Sequence, residues 1–132
     1  MISDRFVAII EDDELLREVL AGLVSDTGIR CISFPSADDA LIYLIRNWRE
    51  CALVIADHEV PGQLSGSDLA AMVESEWRGL PVVIMSGYDA ETLGLPSGTK
   101  FLRKPWAVHE LLELVTASMV HDSLQKGIGC RR

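Results

Sequence analysis

The stretch Cys51-Ala52-Leu53-Val54-Ile55-Ala56-Asp57 decides the fold. Its apolar residues follow one another without alternation, and the run then stops at an acid. A strand with one wet face alternates apolar and polar residues. An unbroken run this short suits a strand buried on both faces, as in a parallel sheet covered by helices on each side. Leu53 to Ala56 is the predicted strand, and Asp57 ends it. Phe6 to Ile10 and Val82 to Met85 read the same way, Cys31 to Phe34 is a further strand, and Thr99 to Arg103 a weaker fifth.

Helical spacing fills the gaps between these runs. Leu16, Val19, Leu20, Leu23 and Val24 form one apolar stripe, and Ala37, Ala40, Leu41, Leu44, Ile45 and Trp48 a second. Leu69, Met72, Val73 and Trp77 mark a third, and Val108, Leu111, Leu112, Val115 and Met119 the last. Ser36 with Asp39 three residues on resembles a capping box for the second helix. Strand and helix alternate throughout. Right-handed crossovers then give an α/β fold, a doubly wound three-layer sandwich with five parallel strands. Residues 5 to 120 are expected to form one domain. Residues 121 to 132, with Gly127, Gly129 and a basic end, show no periodicity and are expected to fray.

Composition excludes several classes. The chain has 132 residues, 48% hydrophobic and 24% charged, which is one globular domain and not a disordered segment. Its longest apolar runs fall far short of the ~20 residues that a membrane-spanning helix needs. The opening Met-Ile-Ser-Asp-Arg-Phe lacks the basic start and cleavage site of a secretory signal, so a cytoplasmic setting is expected. Twenty acids against twelve bases give a net charge of −8, which repels nucleic-acid phosphates and anionic lipid. Cys31, Cys51 and Cys130 form neither a disulfide framework nor a zinc motif.

Ligands of an open α/β sheet bind beyond the carboxyl ends of its strands. Those ends are polar here: Glu11-Asp12-Asp13 after the first strand, Asp57 after the third, Ser86 after the fourth and Lys104 after the fifth. If the first and third strands are neighbours, Glu11, Asp12 and Asp57 converge. Carboxylates that close raise one another's pKa unless a cation intervenes. Mg²⁺ accepts a few carboxylates while keeping water and phosphate oxygens in its shell, which points to phosphoryl transfer. Asp57 is then the nucleophile candidate, with Ser86 and Lys104 placed to meet phosphoryl oxygens. Taken singly, each residue has a plainer reading. An Asp after a strand often caps the next helix, which is all that is expected of Asp13, and a lone Ser or Lys usually belongs to a turn. The conjunction at four strand ends favours the site. His58, His109 and His121 are assigned no role.

In combination these motifs resemble the response-regulator receiver family of two-component signal transduction over nearly all of residues 5 to 120. Ile9-Ile10-Glu11-Asp12-Asp13-Glu14-Leu15-Leu16-Arg17 is similar to the family's acidic pair and opening helix. Asp57-His58-Glu59-Val60-Pro61-Gly62 resembles its phosphoacceptor and loop, Ser86-Gly87 its switch hydroxyl, and Phe101-Leu102-Arg103-Lys104-Pro105-Trp106 its aromatic switch, lysine and proline. The resemblance implies a flavodoxin-like sheet of order 2-1-3-4-5 and Asp57 as phosphoacceptor. It implies Mg²⁺ held by Asp12, Asp57 and the Glu59 carbonyl, with Glu11 acting through water. It also implies a cis Lys104-Pro105 peptide, and a switch in which Ser86 is drawn to the phosphoryl group while Phe101 turns inward.

The implied partners are a sensor histidine kinase or phosphotransfer protein and a downstream protein, for a stand-alone receiver that turns over no external substrate. Three departures stand out: a loop from Asp57 to Gly66 one residue longer than the pattern, an added carboxylate at Glu59, and a shortened Ser86 to Lys104 segment that leaves room for only a stunted fourth helix. The alternatives are a receiver-like binding module independent of phosphate and a small Mg²⁺-dependent phosphohydrolase of the haloacid-dehalogenase kind. The latter places a second Asp two residues beyond the nucleophile, where this chain has Glu59.

Overall fold

In this computed structural model the described residues are 5–129, with side chains described through residue 119. The order of elements is β1 (Phe6–Ile10), α1 (Glu14–Ser25), β2 (Arg30–Phe34), α2 (Ala37–Asn47), β3 (Cys51–Asp57), α3 (Gly66–Glu76), β4 (Val82–Ser86), α4 (Ala90–Leu93), β5 (Lys100–Arg103) and α5 (Val108–Gly129). The strands form one parallel sheet in the order β2-β1-β3-β4-β5. The parallel sheet is the one the unbroken apolar runs predict, and its flavodoxin-like order is the one the resemblance implies.

The three central strands, β1, β3 and β4, are buried along their whole length, whereas the edge strands β2 and β5 keep exposed positions. Alternate residues of each central strand feed opposite cores. Phe6, Ala8, Ile10, Val54, Ala56 and Ile84 meet Ala40 and Leu44 of α2 and Leu69 and Val73 of α3. Val7, Ile9, Leu53, Ile55, Val83 and Met85 meet Leu20 and Val24 of α1 and Leu111 and Val115 of α5. Both faces of these central strands are dry, which is why they show no polar alternation.

The helices differ from expectation at their margins. Val19, Ile45 and Val108, read as core, are exposed. A helix laid on a sheet buries only one stripe of its surface, so residues flanking that stripe stay in solvent. Ser36 caps α2 by accepting from the Asp39 N–H at 3.1 Å, half of the expected box. The reciprocal box instead opens α3, where Ser65 Oγ accepts from the Asp68 N–H and the Asp68 carboxylate accepts from the Ser65 N–H, each at 3.0 Å. The backbone of α5 is helical through residues 121–129, part of the stretch expected to fray, and residues 130–132 lie outside the described residues. The fourth helix is a single turn of four residues, as the short segment predicts. Among the described residues no helix is long and apolar enough to cross a membrane.

Candidate phosphoacceptor site

Register brings the strand-end residues together. Ile10 of β1 pairs with Ala56 of β3, so the next residues along each strand, Glu11 and Asp57, lie side by side. Carboxylate oxygens of Glu11, Asp12 and Asp57 lie within 4.8 Å of one another. Asp57 is 5% exposed and Glu11 2%, while Asp12 faces solvent. Lys104, just beyond β5, donates from Nζ to Asp57 Oδ2 at 2.8 Å. The Glu59 N–H reaches Asp57 Oδ1 at 3.3 Å, and the Glu59 side chain itself is exposed.

Ser86, 1% exposed, ends β4 next to this cluster. Its Oγ accepts from the Tyr88 N–H at 3.0 Å, which leaves the hydroxyl proton free to be donated elsewhere. The Lys104 N–H donates to the Ser86 carbonyl at 2.8 Å, tying the ends of β4 and β5 together. Phe101 is half-buried on β5, where it pairs with Ile84. The Lys104-Pro105 peptide is cis.

Several contacts that shape the site come from residues to which the sequence reading gives no part in it. Asp13 caps α1 as expected, but its N–H also donates to Glu11 Oε2 at 3.1 Å, and Arg17 Nη1 holds the Glu11 carbonyl at 2.7 Å. His58 turns away from the acids and pairs through Nδ1 with Ser67 Oγ at 2.7 Å. Gly66 packs so tightly under β3 that a Cβ there would lie 2.2 Å from the Asp57 carbonyl oxygen. Asp38, in the first turn of α2, accepts backbone N–H groups from Gln63 and Leu64.

The model of the response regulator receiver domain matches residues 7–116. The chain belongs to this family. It is 32% identical over 113 residues to the response regulator protein FleR of Pseudomonas aeruginosa, covering 83% of this chain and 23% of FleR. It is 28% identical over 124 residues to the DNA-binding transcriptional regulator NtrC of Proteus hauseri, covering 91% and 26%. The chain thus spans about a quarter of the length of these relatives. The crystal structure of the signal receiver domain of an HD domain-containing protein from Pseudomonas fluorescens Pf-5 superposes with a TM-score of 0.82 at 22% identity, covering 95% of this chain and 93% of that one. That likeness shows the fold.

Receiver domains generally bind Mg²⁺ in an acidic pocket, and the donor set of this receiver fits one. Glu11 Oε1 is buried without a hydrogen-bond partner, and two further carboxylates stand beside it. Burial, then the charges of Asp57 and Asp12, push the Glu11 carboxyl up to about 7 against the pull of the Asp13 N–H and Lys104. Burial alone would lower Lys104. Its hydrogen bond to Asp57, together with the charges of Asp57, Glu11 and Glu59, outweighs that and raises it.

A pH dependence follows. Unfolded, Glu11 loses its proton near 4.5, whereas folded it keeps the proton up to about 7. Between those values the folded state binds more protons, so this contribution to stability is complete below 4.5 and is lost as pH rises through 7. Thermal melts of metal-free protein across that window are expected to show the decline. Glu11→Gln should flatten it and excess Mg²⁺ should oppose it. A Glu11→Gln profile that superimposes on wild type would refute the assignment.

Proposed function

We propose that Asp57 is the phosphoacceptor of a two-component phosphorelay, taking a phosphoryl group from a sensor histidine kinase or phosphotransfer protein in the cytosol. The observation that carries this reading is the placement of a nearly buried Asp57 between the Glu11 and Asp12 carboxylates and the Lys104 ammonium at 2.8 Å. A purely structural domain has no use for two buried carboxylates beside a third, one of their oxygens orphaned.

In the transfer, a carboxylate oxygen of Asp57 bonds to phosphorus while the donor's bond to phosphorus breaks and its electron pair leaves with the donor. Asp12, Asp57 and the Glu59 backbone carbonyl would hold Mg²⁺, with Glu11 acting through water. The bound ion supplies charge neutralisation for the carboxylates and the incoming phosphoryl oxygens. Lys104 shifts its hydrogen bond from the Asp57 carboxylate to a phosphoryl oxygen. Ser86, already held by the Tyr88 N–H, donates its hydroxyl proton to another.

The displaced Ser86 lets Phe101 turn inward, and the altered face changes its affinity for a downstream protein. The receiver accepts and later loses its own phosphoryl group and turns over no external substrate. Incubation with acetyl phosphate should give a single phosphoryl adduct by intact mass in Mg²⁺ and none in chelator. An adduct indifferent to Mg²⁺ would overturn the metal-assisted reading.

A further inference from the structure

The connection 58–65 leads from the end of β3 to the start of α3, and with Asp12 it walls an open hollow beside the acidic cluster. Its two ends are fixed at the sheet and at the start of α3. The His58 N–H donates to the Met85 carbonyl and the His58 carbonyl accepts from Gly66, both at 2.9 Å, while the Ser65 and Asp68 box closes the far end. Its middle is fixed from another element. Asp38 Oδ2 accepts the Gln63 N–H and Oδ1 the Leu64 N–H, each at 3.0 Å. Gly62, in the left-handed region at φ 106°, lies so close to the same carboxylate that a Cβ would meet Oδ1 at 3.0 Å.

The helix that carries Asp38 does not need it. Ser36 already caps α2, and Asp39 supplies a second acid in its first turn. The Asp38 carboxylate turns outward to satisfy two loop amides, and those two bonds hold its pKa below the usual carboxylate range. Glu59 lies upstream on the same loop, and its N–H reaches Asp57 only through the long 3.3 Å bond. That contact and the anchored His58 hold the amide side of Glu59, so the direction of its carbonyl is set by the rest of the loop.

We propose that Asp38 is a positioning residue for the metal side of the phosphoacceptor site: its carboxylate clamps Gln63 and Leu64 and so holds the Glu59 backbone carbonyl where Mg²⁺ binds. The proposal rests on the phosphoacceptor reading above, in which that carbonyl is a ligand. Groups that orient metal ligands from behind commonly change metal affinity by roughly 10- to 100-fold when removed.

Mg²⁺ titration calorimetry on wild type, Asp38→Ala, Asp38→Asn and Ser36→Ala, with thermal melts of each, tests it. Asp38→Ala should weaken Mg²⁺ binding by about tenfold or more. Asp38→Asn, which keeps one acceptor oxygen, should fall between it and wild type. Ser36→Ala removes the cap of the same helix, and should lower Tm while leaving Mg²⁺ affinity unchanged. Wild-type affinity in both Asp38 variants, or an equal loss in Ser36→Ala, would overturn the positioning role and leave the phosphoacceptor reading intact. A wild-type chain that takes up no Mg²⁺ would overturn both.

Discussion

Asp57→Asn is expected to reduce the Mg²⁺-dependent phosphoryl adduct to background. The change keeps the shape of the side chain but replaces an anionic oxygen nucleophile with an amide, which cannot attack phosphorus at a useful rate. It also removes one of the two carboxylates that would hold the metal directly, so the nucleophile and part of the metal's charge complement disappear together. The fold should survive. Lys104 loses its 2.8 Å ion pair, but Glu11 is relieved of a neighbouring charge that raises its pKa. Glu11 in the variant should therefore titrate lower than in wild type. Intact mass after incubation with acetyl phosphate reads the first effect, and carboxyl NMR titration of Glu11 the second. A full-strength adduct in the variant would place the phosphosite elsewhere.

Gly66→Ala is expected to be strongly destabilising. Its Cβ would sit 2.2 Å from the Asp57 carbonyl oxygen, 2.9 Å from the carbonyl carbon and 3.1 Å from the His58 Cα. All three are backbone atoms at the end of a central strand, so no flexible side chain can move aside. Overpacking of this kind costs about 1–3 kcal/mol and sometimes more. Because the displaced atoms belong to Asp57 and its neighbour, phosphorylation should slow as well. Gly22→Ala is the matching control. Gly22 lies within α1, and a Cβ there meets nothing within 4 Å. It should stabilise by roughly 0.5–1 kcal/mol, since glycine is a poor helix former. Urea denaturation of both variants should give shifts of opposite sign. Equal stability of Gly66→Ala and wild type would mean that α3 can retreat from β3 without penalty.

These residues also show what the sequence could and could not tell. The sheet was legible because β1, β3 and β4 are dry on both faces and therefore read as unbroken apolar runs. The acidic cluster, Ser86 and Lys104 were legible because a strand's end is visible in sequence and the topology does the rest. Asp38 was not. An acid in the first turn of a helix looks like an ordinary partner of the helix dipole, and only the tertiary structure shows its carboxylate bonded to amides 25 and 26 residues away. Gly66 read as the end of a loop, although its real constraint is the strand beneath it. Val19, Ile45 and Val108 carry apolar side chains at helical spacing, and periodicity alone cannot say how wide the contact with the sheet will be.

The 2.8 Å bond from the Lys104 N–H to the Ser86 carbonyl has a consequence for how the domain can diversify. It joins the two chemical groups that end β4 and β5, so everything between them hangs from a closed clasp. β5 stays paired with β4, so it is the stretch 87–99 ahead of it that can lengthen or shorten while Ser86 and Lys104 keep their places. Its length is then free to be set by whatever surface it must meet. The one-turn α4 is such a trim, and the segment is a natural cassette for grafting a different recognition element onto an unchanged site.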